Sequence, residues 1–464
     1  MKKKIYLTFI LTVSLFAFIG CYDAVFQSIR DEIELTTQEI PGFINNIARY
    51  NDGDDQYLFL TNGFIQYKNA SVTEHGAWKG MEGNGLPQTV QYIFEDTDFK
   101  GVYFYKIIAD SKCIYALGYK PEYDTNNSRN VPGEYKLYYT TSITKNEDGT
   151  LTAQWKENTF LGSVMQEYKS KLDSNDDDNY GMAVSIHLFG TNSINPSHRV
   201  AFLRIGGGSP YLKNAENKNS KLYKLDGDST SETPVVKIEN EVISAADEGD
   251  FCYSEASLYT LSVVWFNGKY HFMNFLNAET NEGTTDTSTS TVRTEPTYVY
   301  YGDEGYLYYF SVENYKNNAQ EYTKIFNGTS SYADNTIGFN RKSAPGEVIC
   351  IAVTTDSLVL GTGHNRSYDS SSDYGNGAAA VKIDSATGEP TGDISGDKLV
   401  ENGNSQLVYR YTTRALITAE PSKTQTEASI YATMDYIYTA TTAGTNTSAR
   451  GLWAKYPNGK WNRE

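Results

Sequence analysis

The feature that most constrains this chain is a short unit that recurs along it: an apolar residue and an alanine, a polar break, then a second apolar run. It occurs as Asn46-Ile47-Ala48-Arg49 leading to Tyr57-Leu58-Phe59-Leu60, and as Ile107-Ile108-Ala109-Asp110 leading to Ile114-Tyr115-Ala116-Leu117. It returns as Cys350-Ile351-Ala352-Val353 leading to Leu358-Val359-Leu360-Gly361, and as Ile430-Tyr431-Ala432-Thr433 leading to Tyr436-Ile437-Tyr438-Thr439. Each pair fits two strands joined by a tight polar turn. A third strand follows in each case: Phe64 to Tyr67, Tyr135 to Tyr138, Ala379 to Lys382 and Gly451 to Ala454. In three units a tryptophan comes next, where an outer strand would lie: Trp78, Trp155 and Trp461. Ser429 to Glu464 reads as the clearest copy.

Weaker units fill the middle. One runs from Gly181-Met182-Ala183-Val184 through Val200 to Leu203 and Lys221 to Lys224, ending at Val235 to Ile238. Another holds Ser257-Leu258-Tyr259 and a hairpin from Val264 to Phe272 around Asn267-Gly268. Asn-Gly between alternating apolar residues is the strongest short-range hairpin signal. A further unit holds Thr297 to Tyr300, Tyr306 to Tyr309 and Tyr322 to Ile325. The aromatic share of 14%, with 38 tyrosines, suits pleated, half-buried surfaces.

Repeated meanders that stack on their neighbours predict an all-β fold, a β-propeller over 43–464. Seven units at roughly 60 residues each favour seven blades, with six and eight the neighbouring counts. The surplus over a typical repeat falls in three polar stretches read as loops: Glu122 to Gly133, Asn277 to Thr294 and His364 to Gly377. Because the last unit ends at its outer strand, closure of such a ring requires it to meet the first. The structural alternative is two β-sandwich domains divided near Asn240.

Residues 1–20 lie outside the fold. Lys2, Lys3 and Lys4 precede the apolar run Ile5 to Ile19, which has the length of a secretory h-region and is short for a membrane span. The run ends in Phe18-Ile19-Gly20-Cys21, which resembles the lipobox of bacterial lipoproteins, with Phe18 where leucine is usual. The departure is one that spirochaete-type lipoproteins show. The resemblance implies cleavage after Gly20 and lipid attachment at Cys21, leaving 21–42 as a lipidated tether. Two or three acyl chains, at about 0.8 kcal/mol per buried CH₂, would hold the protein firmly to a membrane. Val25, Phe26, Ile29 and Ile33 share one helical face within that tether, which reads equally as a short helix or an irregular segment.

Loss of residues 1–20 removes three lysines and no acids, so the net charge moves from −17 to −20. Such a surface repels nucleic acid and anionic lipid, and no basic stripe offsets it. Cys113, Cys252 and Cys350 sit in apolar, strand-like contexts and read as small buried hydrophobes, with room for one disulfide in an exported protein.

Little in the sequence carries chemistry. The five histidines (His75, His187, His198, His271 and His364) are scattered, and no His-Glu-x-x-His or paired cysteines suggest a metal. The acidic run Asp173 to Asn179 has the composition of a Ca²⁺ loop but lacks its glycine and distal glutamate. Asp52-Gly53-Asp54-Asp55 and Asp226-Gly227-Asp228 are turn chemistry. Asp148-Gly149-Thr150 with Trp155 loosely matches a sialidase-type repeat once. No Gly-x-Ser-x-Gly elbow appears, and Gly206-Gly207-Gly208 lacks a phosphate-binding lysine. The most polar candidate for binding is the loop with His364, Asn365, Arg366, Asp369 and Asp373.

In sum the chain resembles β-propeller lipoproteins of spirochaete-like bacteria, a resemblance that brings no defined activity. The expectation is a monomeric, exported binding or scaffold protein, anchored by lipid to the inner or outer membrane. Its partner would be a protein, peptide or glycan, with no cofactor and no nucleic acid. Two alternatives stand beside it: a glycan hydrolase or lyase using carboxylates in a central funnel, and a structural envelope component.

Overall fold

A computed structural model describes residues 40, 44–53, 55–87, 89, 101–124, 129–163, 183–190, 196–206, 221–232, 251–253, 262–273, 278–286, 291–293, 295–303, 306–316, 323–324, 348–362, 378–395, 411–419, 428–436, 451–457 and 461–464. Those residues are mainly β-strand. Sheet 1 is a meander of β1 (Ile47–Asp52), β2 (Asp55–Thr61), β3 (Ile65–Asn69) and β4 (Lys79–Gly80). After β5 (Glu82–Asn84) comes sheet 2, formed by β6 (Tyr103–Ala109), β7 (Ile114–Asp124), β8 (Arg129–Thr140) and, beyond the hairpin β9 (Ile143–Lys145) and β10 (Leu151–Gln154), by β11 (Lys156–Glu157). The hairpin pairs with β5 in a small sheet of its own. Sheet 3 is β12 (Ala183–Phe189), β13 (Val200–Gly206), β14 (Lys221–Asp226) and β15 (Ser229–Glu232).

Sheet 4 departs from the meander. Its hairpin of β17 (Ser262–Phe266) and β18 (Lys269–Met273) takes as third member the preceding strand, β16 (Phe251–Tyr253), which lies parallel to β18. Sheet 5 begins with β19 (Ala278–Thr280) and, after the small hairpin β20 (Thr285–Asp286) and β21 (Thr291–Val292), continues with β22 (Tyr298–Asp303), β23 (Tyr306–Ser311) and β24 (Thr323–Lys324). Sheet 6 is β25 (Val348–Val353), β26 (Ser357–Thr362), β27 (Ala378–Ile383) and β28 (Pro390–Ser395). Sheet 7 is β29 (Tyr411–Ala419), β30 (Ser429–Tyr436), β31 (Gly451–Lys455) and β32 (Trp461–Arg463).

The second strands explain why the sequence shows continuous apolar runs instead of clean alternation. Successive side chains on a strand point to opposite faces. On β2, Tyr57 and Phe59 pack with Ile107 and Ala116 of sheet 2, whereas Leu58 and Leu60 pack with Tyr431 and Leu452 of sheet 7. On β7, Ile114 and Ala116 turn toward sheet 1, while Tyr115 and Leu117 meet Ile186 and Leu203 of sheet 3. Both faces of these sheets are buried, and the apolar core is a series of slabs between neighbouring sheets. Full burial of one such side chain contributes about 1.5–3 kcal/mol.

The first strands, with the edge strand β17 in that place for sheet 4, pack on one another in sequence: β1 on β6, β6 on β12, β12 on β17, β17 on β19, β19 on β25, β25 on β29, and β29 on β1. Side chains join several of these neighbours through backbone groups. The Asn46 amide donates to the Ile107 carbonyl and accepts from the Ile107 N–H, so one side chain stands in for a ladder partner between β1 and β6. The Asn45 amide donates to the Tyr105 carbonyl at 2.7 Å, and the Tyr105 hydroxyl donates to the Val184 carbonyl of β12 at 2.7 Å. Between β1 and β29, Arg49 Nη1 donates to the Thr418 carbonyl at 3.1 Å.

A second device recurs farther out. The hydroxyl of Tyr115, on the second strand of sheet 2, accepts from the Gly227 N–H in the last turn of sheet 3 at 2.9 Å. The hydroxyl of Tyr300, on the corresponding strand of sheet 5, donates to the Gly388 carbonyl in the last turn of sheet 6 at 2.5 Å. Asp384 caps the latter turn, accepting from the N–H groups of Ala386 and Thr387 at 2.9 and 2.7 Å. Gly388 has φ +86°, and a Cβ there would stand 2.3 Å from Asn281 Nδ2. Only glycine suits both the turn and the approach.

Several expectations change. The last unit opens at Tyr411, not at Ser429: Ile430-Tyr431-Ala432-Thr433 lies on the second strand, between β29 and β31. The apolar-plus-alanine signature marks a strand buried on both faces, and in sheet 7 that strand is the second. Glu122 to Gly133 is no simple loop, since β7 and β8 extend into it as far as the pair Asp124 and Arg129. Asn277 to Thr294 carries β19 and a hairpin, with the polar Thr280, Asn281, Glu282 and Thr284 buried. The fourth strand of sheet 3 is β15, ahead of Val235 to Ile238, which lies outside the described residues together with Ser257 to Tyr259. Two sandwiches divided near Asn240 would keep the halves apart, whereas sheet 7 packs on sheet 1. At the hairpin, Asn267 and Gly268 have φ 55° and 73°, both left-handed as an Asn-Gly turn requires.

Candidate functional site

The polar candidate site is built where first strands end. β1 ends near Asn51, the segment after β12 carries His198 and Arg199, and the turn after β19 carries Glu282. These three places meet. Arg199, buried, donates from Nη1 to Asn51 Oδ1 at 3.1 Å, across a sequence separation of 148. His198 Nδ1 lies 3.0 Å from Glu282 Oε1, whose side chain is 1% exposed against 16% for the histidine. The His198 ring stacks on Trp265 at 4.1 Å and 26°, and the Tyr270 hydroxyl donates to the His198 carbonyl at 2.6 Å. Tyr270 meets Trp265 edge-on at 4.7 Å. Residues of sheets 1, 3, 4 and 5 thus converge on one half-buried patch that carries an imidazole, a carboxylate, a guanidinium and two aromatic rings.

Below this patch the first strands carry further polar side chains. Lys106 on β6 places its amine 3.3 Å from Ser185 Oγ on β12. Desolvation of this half-buried residue pushes its pKa down to about 8. The residue nevertheless keeps partial solvent access, as do Ser185 and His187. Cys350 on β25 donates weakly to the Thr413 carbonyl of β29 at 3.8 Å. Burial first, then the Glu279 charge on the adjoining β19, pushes its thiol pKa far up, which disfavours the reactive thiolate.

A contrasting polar cluster sits at the seam of sheets 7 and 1. Glu464 and Lys68 are wholly buried side chains joined at 2.9 Å. Glu464 also accepts from Trp78 Nε1 at 2.8 Å and from the Tyr456 hydroxyl at 2.5 Å, and lies 2.9 Å from His75 Nδ1. Lys68 donates to the Glu74 carbonyl at 2.6 Å and to the Tyr456 hydroxyl, and lies 4.9 Å from the centre of the Tyr456 ring. Burial works to raise the Glu464 pKa, but the His75 hydrogen bond and the Lys68 charge outweigh it and hold the carboxyl below its ordinary value. Every group here has its partner, which marks a structural clasp.

Of the residues singled out from sequence, Cys21, the Asp173 to Asn179 run, and His364, Asn365, Arg366, Asp369 and Asp373 lie outside the described residues. Asp148 accepts from the Thr150 N–H at 2.9 Å in a tight turn, and Cys113 and Cys350 are free thiols. The histidines go separate ways: His75 to the clasp, His198 to the patch, and His271 against Phe266 at 3.5 Å. Among the described residues no three His, Cys, Asp or Glu side chains converge to hold a metal, and no helix is long and apolar enough to cross a membrane. Sequence reading had His198 only as one of five scattered histidines and missed Arg199, Trp265, Glu282 and Lys106; the five come from four different units and carry no shared motif.

No family model matches the sequence, and none of the curated proteins does. Among solved structures, one of U3-55K aligns over 86% of this chain and 89% of its own, at 9% identity and a TM-score of 0.29. An alpha-L-arabinanase mutant of Cellvibrio cellulosa aligns over 92% and 96%, at 11% identity and a TM-score of 0.27. Neither likeness is close enough to bear on fold or function.

Proposed function

We propose that this chain is a lipid-anchored, exported binding or scaffold protein, built as a seven-bladed β-propeller. The succession of first strands packed on one another, with β29 against β1, supports the propeller reading. Lipid attachment at Cys21, and with it an address at the bacterial inner or outer membrane, rests on the lipobox-like ending of residues 1–20. The partner is a protein, peptide or glycan, and it docks at the patch around His198, Arg199, Trp265 and Glu282.

The observation that carries the binding reading is the stacked, half-buried His198–Trp265 pair held between Glu282 and Tyr270. Aromatic faces beside a few well-placed polar groups are the composition of recognition surfaces. The hydrolase or lyase reading has one observation in its favour, the buried Glu282, but His198 already engages that carboxylate.

The test is to screen the Cys21→Ala chain, purified without its anchor, on glycan and peptide arrays. Trp265→Ala is expected to lose any enriched ligand, and binding that survives this change would overturn the patch assignment. Labelling cells with a radioactive fatty acid checks the anchor, because equal incorporation in wild type and Cys21→Ala would remove it.

A further inference from the structure

Ile40 and Ile44 stand ahead of β1, yet both are buried, at 2% and 1% exposure. They pack in the slab between sheets 7 and 1, with Leu58, Tyr431 and Leu452. The Ile40 N–H donates to the Glu464 main-chain oxygen at 3.2 Å, and the Glu464 N–H donates to the Leu452 carbonyl at 2.9 Å. The Glu464 side chain meanwhile engages Lys68, His75, Trp78 and Tyr456. One residue therefore joins the incoming segment, sheet 1 and sheet 7. A buried ion pair adds little net stability, since apolar residues of similar volume serve as well, but removing one partner is costly. What sets such a pair apart is that a proton can cancel it. The opposite faces of the same two sheets belong to separate slabs, Phe59 packing with sheet 2 and Ala432 with sheet 6. Parting sheets 7 and 1 leaves those slabs covered.

We propose that the segment pinned at Ile40 and Ile44 is a strap across this seam and that the Glu464 carboxylate is its catch. Neutralising that one group releases the strap and parts sheets 7 and 1, while the other slabs stay packed. The groups facing the carboxylate are Lys68 on β3, His75 and Trp78 between β3 and β4, Tyr431 on β30 and Tyr456 after β31. Glu74 gives the cluster its main-chain carbonyl and is itself exposed. Arg49 and Arg463 are turned to other partners, the Thr418 carbonyl and the Trp453 ring. A proton on Glu464 therefore strands the Lys68 ammonium inside the seam. The folded carboxyl titrates below its ordinary value, so the catch is set above that range and is released as pH falls through it. The device is independent of the patch at His198.

The test places a thiol in the strap, Ile44→Cys in the Cys21→Ala chain, and labels it with a dipyridyl disulfide, which reacts in acid as well as at neutral pH. Peptide mass spectrometry reads each site, with Cys113, buried between sheets 2 and 3, as the internal reference. At neutral pH, Glu464→Gln is expected to speed labelling at position 44 by about a hundredfold, the scale on which losing one partner of a buried pair shifts an opening equilibrium. Cys113 should stay unchanged. With Glu464 in place, acid should open position 44 before Cys113. Hydrogen exchange needs no new thiol: the Ile40 amide should exchange faster in Glu464→Gln than in wild type, while Tyr115 to Leu117 exchange alike in both. The proposal is overturned if Glu464→Gln leaves the Ile40 amide as protected as in wild type. It is equally overturned if position 44 and Cys113 become reactive together, since the seam would then open only with the whole molecule.

Discussion

Lys68 and Lys106 are both lysines on strands of neighbouring sheets, the first wholly buried and the second half-buried, and their surroundings are opposite. Lys68 has the Glu464 carboxylate, a backbone carbonyl, a tyrosine hydroxyl and an aromatic face around it. Among the described residues Lys106 has one serine hydroxyl. The first arrangement spends a buried charge on joining two sheets that are far apart in sequence. The second leaves a half-buried lysine beside a neutral hydroxyl, with desolvation working against its charge. The difference separates a lysine whose charge joins two sheets from one whose charge no described residue compensates.

Breaking the Lys68 cluster should produce the largest effect. Glu464→Gln keeps the shape but leaves a buried ammonium uncompensated, at a cost of about 3–5 kcal/mol, to be measured as a lowered urea midpoint. The double change of Glu464→Gln with Lys68→Met should cost less than the first alone, because the stranded charge is gone. Acid should reproduce the single change. The folded Glu464 carboxyl titrates below its unfolded value, so its contribution is present above the unfolded pKa and is lost as pH falls through the folded one.

Lys106→Met should act with the opposite sign, raising stability at neutral pH by on the order of 2–3 kcal/mol. The folded pKa of about 8 lies below the ordinary 10.5. The unfolded chain therefore binds more protons between those values, and wild-type stability rises with pH across that window. The gap between Lys106→Met and wild type should close over the same window in thermal melts, and a gap independent of pH would mean the amine is not desolvated.

Smaller changes at other junctions calibrate the two lysines. Gly388→Ala forces a side chain into a left-handed turn against Asn281 and should cost about 1–3 kcal/mol. Tyr300→Phe removes the hydroxyl that donates to Gly388 and should cost about 1 kcal/mol. Lys145→Ala, at an exposed pair with Asp55, should leave the urea midpoint where it is.

What the sequence made legible follows from what is local. Leu58 to Leu60 and Tyr115 to Leu117 read as strands because both of their faces are buried, and the Asn267-Gly268 hairpin reads from its turn alone. β19 did not, because Thr280, Asn281 and Glu282 are buried as polar residues and look like a loop. Lys68 and Lys106 look alike on paper, each beside a tyrosine in a strand. The acid that compensates the first lies 396 residues away, and the serine facing the second lies 79 away. The patch at His198 was hidden for the same reason, since His198 and Glu282 are 84 residues apart and meet only through the packing of sheets.

The seam between β29 and β1 also sets a timetable. Asn46 can reach Ile107 as soon as 61 residues have followed it, but Arg49 must wait for Thr418, 369 residues on. During synthesis the faces of Leu58 and Leu60 that end against Tyr431 and Leu452 stay uncovered until sheet 7 has been made. The chain therefore carries an exposed apolar face for most of its birth, and contacts of such separation form slowly. For much of that interval this face of sheet 1 lacks its partner, although sheet 1 is the first of the described sheets to be made.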